Sequence, residues 1–126
     1  MSDYVLDTHT FLYWLLDPLR LPTTVIELLE EDANDFVIPT VVIIEIQYLI
    51  EIGRVEARIA DVLNYIESTT NFRLHPYDKP SLLKSIEPSK HRDPFDRIIL
   101  GTAQALKCAV ITKDRWMKEN YACCIW

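Results

Sequence analysis

At 126 residues the chain is long enough for one hydrophobic core and too short for two domains. Its make-up of 49% hydrophobic and 25% charged residues, with two glycines, excludes a disordered or fibrous protein. No apolar run approaches the ~18 residues of a membrane span. The net charge of −6 argues against nucleic acid held by bulk attraction alone. Its distribution is uneven, however. Residues 1–78 carry four arginines against fourteen acids, whereas residues 79–126 carry nine Lys and Arg against five acids. The three cysteines, Cys108, Cys123 and Cys124, form neither a disulfide framework nor a zinc spacing, and Asp3 follows the start with no apolar leader. A reduced, cytoplasmic location is therefore expected, with residues 1–126 forming a single domain.

In chain order, Tyr4-Val5-Leu6 is a short apolar strand stopped by Asp7-Thr8. Phe11, Leu12, Trp14, Leu15 and Leu16 then show helical spacing, ended by Asp17-Pro18. Thr24-x-x-Glu27 reads as a capping box that opens a second helix. Phe36-Val37-Ile38 is a second strand closed by Pro39, with Thr40 as an expected N-cap. Residues 41–52 are β-branched enough to be called strand on propensity. Their length, and Gly53 in the C′ position, predict a helix instead. Val55, Ile59, Val62, Leu63 and Ile66 keep helical period, so a hairpin of two helices is expected.

Phe72-Arg73-Leu74 is a third strand and residues 79–86 a short helix. Asp93-Pro94 then starts a longer helix: a short acceptor at N-cap is followed by a ring whose fixed φ suits N1. Residues 108–111 form a buried-type strand leading into Thr112-Lys113-Asp114, and a terminal strand over residues 122–125 closes the chain. Strands alternating with helices predict an α/β fold, a three-layer α/β/α sandwich with a central parallel sheet of four to five strands.

That topology gathers acids. Parallel strands end at one edge, where ligands bind in open α/β sheets. Asp7 and Asp114 lie just past strands, Glu45 in the first turns after the second strand, and Asp96 at N3 of the Asp93 helix. Four clustered carboxylates repel unless some take up protons or a cation sits among them. An all-oxygen set suits Mg²⁺ or Mn²⁺, which implies hydrolysis of a phosphodiester. Each residue also has a structural reading: Asp7 as a helix cap, Asp93 as the cap completed by Pro94, Asp114 as a polar turn. Glu45, between Ile44 and Ile46, is expensive to bury without a partner. Arg92, Arg97, Lys113 and Arg115 flank the edge and are expected to contact phosphates. His91 is a candidate RNA contact and Trp116 a candidate base-stacking ring.

As a set, Tyr4-Val5-Leu6-Asp7-Thr8-His9, Pro39-Thr40 with Glu45, His91 to Arg97, and Ile111-Thr112-Lys113-Asp114 resemble the four signature blocks of the PIN domain family, nearest to its VapC-type toxin branch. The resemblance covers essentially the whole chain. It implies an endoribonuclease dependent on Mg²⁺ or Mn²⁺, the toxin of a toxin–antitoxin pair, held by a cognate antitoxin. By position, Asp7, Glu45, Asp96 and Asp114 match the family's acidic quartet, with Thr112 as the supporting hydroxyl and Asp93 as an outer ligand. Thr40 stands where the family usually has Ser. A homodimer through the apolar helices around 41–66 is expected. The alternatives are a PIN module that binds RNA or protein without cutting, and a phosphoacceptor receiver domain. The second would need a pair of acids after the first strand, where only Asp7 stands.

Overall fold

The computed structural model describes residues 2–88 and 93–126. Five parallel strands form one sheet: β1 (Asp3–Leu6), β2 (Asp35–Pro39), β3 (Phe72–His75), β4 (Ala109–Ile111) and β5 (Cys124–Ile125), in the order β3-β2-β1-β4-β5. In β1 and β2 successive residues are buried, Val5 with Leu6 and then Phe36, Val37 and Ile38. Successive side chains point to opposite faces, so both faces of the sheet are covered. The helices that cover them are α1 (Thr8–Leu16), α2 (Thr23–Glu30), α3 (Thr40–Glu51), α4 (Ile59–Ser68), α5 (Lys79–Ser85), α6 (Pro94–Leu106) and α7 (Arg115–Asn120). The expected α/β architecture with a parallel sheet is the one observed. Among the described residues no helix is long and apolar enough to cross a membrane.

Several local expectations change. Thr24 lies inside α2, whose N-cap is Pro22 with no side-chain cap, so the capping box is not made. Thr40 is the first residue of α3 rather than its cap, because β2 keeps pairing to Pro39 opposite His75 and leaves no room for a loop. The apolar period that begins at Val55 is helical only from Ile59; Gly53, with φ of +78°, has already turned the chain out of α3. Cys123 is exposed ahead of a two-residue β5 and not buried in a longer strand.

An aromatic cluster packs α1 and α4 onto β2 and β3. Phe36 and Phe72 lie 5.0 Å apart, and Tyr65 meets Phe72 edge-on at 5.2 Å. Trp14 Nε1 donates to the Tyr65 hydroxyl at 2.8 Å, which satisfies both polar atoms in a half-buried contact. At the other side, α5 and α6 cross with almost no gap. A Cβ added to Gly101 would run into Ser85 Oγ and stand 2.9 Å from Ser85 N and 3.0 Å from Ser81 O. The small residues Ser81, Ser85 and Gly101, all buried, make that approach possible.

Gly101→Ala is expected to lower the unfolding free energy in urea by about 1–3 kcal/mol through overpacking. Ser85→Ala in the same chain should recover part of the loss, since it removes the nearest atom. Wild-type stability in Gly101→Ala would mean that the two helices can separate freely.

Candidate active site

The sheet order places a topological switch between β1 and β4: the chain adds β2 and β3 on one side of β1, and β4 and β5 on the other. Asp7 stands at the carboxyl end of β1, against that switch. It caps α1, accepting from Thr10 N at 2.8 Å, and its second oxygen accepts from the Thr112 hydroxyl just past β4. The Thr10 hydroxyl donates to Ile111 O at 2.8 Å, so a second bond spans the same seam. Burial pushes the Asp7 carboxyl above its ordinary value of 3.8, while hydrogen bonds from Thr10 and Thr112 and the nearby His9 charge pull it back.

Glu45, in the second turn of α3, is half-buried and accepts from the Thr8 hydroxyl. Desolvation raises its pKa first, opposed by the Thr8 bond and by His9; the charges of Asp93 and Asp7 raise it further. Three acids distant in sequence thus feel one another across this edge. Asp93 is the N-cap of α6, its Oδ1 accepting from Phe95 N at 2.9 Å and Asp96 N at 3.4 Å. That is the capping role expected of it, and it also brings its charge against Glu45. Asp96 is half-buried at N3, in the first turn of α6. Asp114 caps α7, accepting from Met117 N at 2.8 Å, and its own N–H donates to Thr112 Oγ1 at 2.9 Å. Thr112 therefore links the Asp7 carboxylate to the Asp114 backbone.

Among the described residues no lysine or arginine pairs with Asp7, Glu45, Asp93 or Asp114. Nor, among them, is any group of three His, Cys, Asp or Glu side chains already drawn together around a metal position. The acids are arranged instead as a hydroxyl-linked rim. Mg²⁺ needs only one or two carboxylates, since it keeps several waters, so a rim of this kind fits such an ion without a closed cage. Burial pushes the Cys124 thiol up to about 11, so it stays protonated at neutral pH.

The expected phosphate contacts divide. The Arg97 guanidinium donates to Ser85 O at 3.2 Å and Glu87 O at 3.4 Å, tying α6 to the end of α5. Arg115 is exposed beside Glu119 at 3.0 Å, and Lys113 is exposed with its Nζ 3.0 Å from the Tyr13 hydroxyl. Arg92 and His91 lie outside the described residues. Trp116 packs partly buried against the core, which is not the free ring expected of a base-stacking residue. Missed from sequence were the Thr8 and Thr10 hydroxyls. The signal was present, since a Thr on each side of one turn beyond a strand-end Asp can bond neighbouring elements as well as its own helix.

Because the folded-state pKa of Asp7 lies above its unfolded value, ionising it costs stability. The metal-free protein keeps this contribution below the unfolded pKa and loses it as pH rises through the folded one. Asn keeps the helix cap without the charge. The melting temperature of metal-free Asp7→Asn is thus expected to gain on that of the wild type as pH rises above the ordinary Asp7 value of 3.8. A difference that stays flat over that range would contradict the burial of this carboxyl.

The PIN domain family profile matches residues 4–122. Ribonuclease VapC22 of Mycobacterium tuberculosis is 25% identical over 123 residues, covering 95% of this chain and 93% of its own. In structure the chain is similar to DNA-bound VapBC from Salmonella typhimurium, with a TM-score of 0.66 and 16% identity over 94% of this chain and 92% of that one. It is also similar to a toxin–antitoxin complex from Klebsiella pneumoniae, with a TM-score of 0.65 and 15% identity over 98% and 96%. FitAcB from Neisseria gonorrhoeae follows at 0.62 and 20%, over 90% and 89%. These likenesses show the fold, and with the profile spanning nearly the whole length this chain belongs to the PIN domain family.

Proposed function

We propose that the chain acts as one PIN domain, a metal-dependent endoribonuclease that hydrolyses RNA phosphodiester bonds, and that it is the toxin of a toxin–antitoxin pair restrained by a cognate antitoxin. The observation that carries this reading is a buried carboxylate at the switch point, Asp7, with no basic partner among the described residues and a charge that reaches Glu45 across the edge. A structural acid in such a place would have a basic partner or would be replaced at little cost. An acid kept there without one is poised for a cation. The relative named a ribonuclease and the similar toxin–antitoxin complexes support the substrate and partner.

In this reading Asp7, Glu45, Asp96 and Asp114 are the catalytic and metal-holding acids, with Asp93 as an outer member. Mg²⁺ or Mn²⁺ is the ion that their hard oxygens suit. When bound, such an ion supplies a Lewis acid for the scissile phosphate and a lowered pKa for water. The chain's own residues do the positioning. Bonds from Thr10 and Thr112 fix the Asp7 carboxylate plane without filling all of its lone-pair sites. Thr8 holds Glu45 toward the same edge. The N-termini of α1, α6 and α7 all face this rim through their Asp caps, so their positive ends favour the anionic reaction centre. Lys113 and Arg115, on the loop and helix after β4, are placed to meet the RNA backbone.

Asp7→Asn and Asp96→Asn are each expected to lower cleavage of single-stranded RNA by at least about 10²-fold, with the fold retained by circular dichroism. EDTA should abolish wild-type cleavage, and Mn²⁺ or Mg²⁺ should restore it. Undiminished cleavage by either variant would refute the assignment.

Ile44, Tyr48 and Ile52 recur at i, i+4 and i+8 along α3 and are 61%, 52% and 46% exposed. Ile44 and Tyr48, with Ile43, Ile59 and Phe95, border an apolar groove of about 600 Å³. We infer that a second copy covers this face. Ile44→Asp is expected to turn a dimeric mass in light scattering into a monomeric one. A wild-type mass that is monomeric at all concentrations would contradict the dimer.

A further inference from the structure

Beside the acidic rim stands a cluster of which the roles above use only Lys113. Tyr13, on α1, is gripped from two directions. The Arg20 guanidinium lies 4.5 Å over its ring centroid, and Lys113 Nζ lies 5.1 Å from that centroid and 3.0 Å from the hydroxyl. His9, one turn earlier on the same helix, has its ring 6.3 Å from that of Tyr13. Arg20 ends the 3₁₀ turn Pro18–Arg20 that follows α1. The ion pairs among the described residues take up Arg73, His75, Lys84 and Arg115, and neither Arg20 nor Lys113.

Two cations are therefore held on one tyrosine in a chain of net charge −6, with no carboxylate neutralising either among the described residues. Like charges on one ring oppose each other, and a surface serving only stability would put an acid between them. A guanidinium stacked by its face keeps its N–H edges turned outward, in a fork that matches phosphate. The position is equally telling. Lys113 sits between Thr112, which bonds Asp7, and Asp114, while His9 is two residues beyond Asp7. An RNA strand approaching the rim meets carboxylates that repel its backbone, and cations beside the rim offset that repulsion.

We propose that Arg20 and Lys113, stacked and spaced by Tyr13, form a binding site for the phosphodiester backbone of RNA immediately beside the acidic rim, with His9 at its inner end. The proposal rests on the ribonuclease reading and adds to it Arg20 and Tyr13, which touch none of the acids. Tyr13 is a positioning residue: it sets the distance between the cations and leaves the phosphate contact to them.

The test is fluorescence anisotropy of a labelled single-stranded RNA with the cleavage-deficient Asp96→Asn chain, over a range of salt concentrations. Adding Arg20→Gln is expected to weaken binding roughly tenfold at low salt, the worth of one charge-assisted contact. It should also shrink the slope of log affinity against log salt by about 0.7. Tyr13→Phe, which removes only the hydroxyl that holds Lys113, should weaken binding less, and Tyr13→Leu more. In the otherwise wild-type enzyme, Arg20→Gln should raise KM for RNA and leave kcat unchanged. An unchanged slope and affinity in Arg20→Gln, with the parent binding RNA and the wild type cleaving it, would overturn this site and leave the ribonuclease reading intact. Failure of the wild type to cleave or bind RNA would overturn both. Loss of binding to a polyglutamate peptide, with RNA binding unaffected, would assign the cluster to an acidic protein surface and overturn it for RNA.

Discussion

Everything at the functional edge depends on one carboxylate being kept in a place that water cannot reach. Asp7 follows β1, where the strand order reverses, and is buried there on the Thr10 N–H and the Thr112 hydroxyl, with the His9 charge nearby. Two hydrogen bonds soften the desolvation of a charged group without cancelling it. The same two bonds join β1, α1 and the loop after β4 into one unit. The residue that strains the metal-free electrostatics is thus also the one that knits the edge together.

The remaining acids reach that edge by packing far from it. Glu45 arrives because β2 runs directly into α3 without a loop, which fixes the rotation of the helix relative to the sheet. Asp93 brings its charge against Glu45 because α6, whose first turn also carries Asp96, is clamped along its length. Gly101 lets it sit against Ser81 and Ser85 of α5, and Arg97 ties its first turns to the carbonyls at the end of that helix. A small residue two turns away and an arginine facing sideways thereby set where two carboxylates stand.

Much of this was legible in the residues. Alternation of short apolar strands with helical periods led to a parallel sheet, and a parallel sheet gathers strand ends, which is why Asp7, Glu45, Asp96 and Asp114 are expected at one edge; the charges of Asp7 and Asp93 reach Glu45 there, and Thr112 joins Asp7 to Asp114. The Asp93-Pro94 cap could also be named, because its chemistry is local. What could not be read was how polar groups are shared between elements. Arg97 looked like a phosphate ligand beside Asp96, and its partners are carbonyls twelve and ten residues back. Trp116 looked exposed on a polar segment, and packing draws it inward. Thr24 and Glu27 have the letters of a capping box, yet Pro22 had already set the start of that helix. The grip of Arg20 and Lys113 on Tyr13 joins residues 100 positions apart and carries no pattern in the sequence.

Calorimetric titration of the metal-free protein with Mn²⁺ at several pH values below neutrality, repeated in buffers of different ionisation enthalpy, counts bound ions and released protons together. Burial at Asp7, and burial with neighbouring charge at Glu45, raise both carboxyls above their ordinary values, so in the pH range where they titrate a cation must displace protons from them. The expected result is saturable binding with net proton release that falls sharply in Asp7→Asn. Binding without proton release, or an isotherm that Asp7→Asn leaves unchanged, would contradict an edge built around a cation.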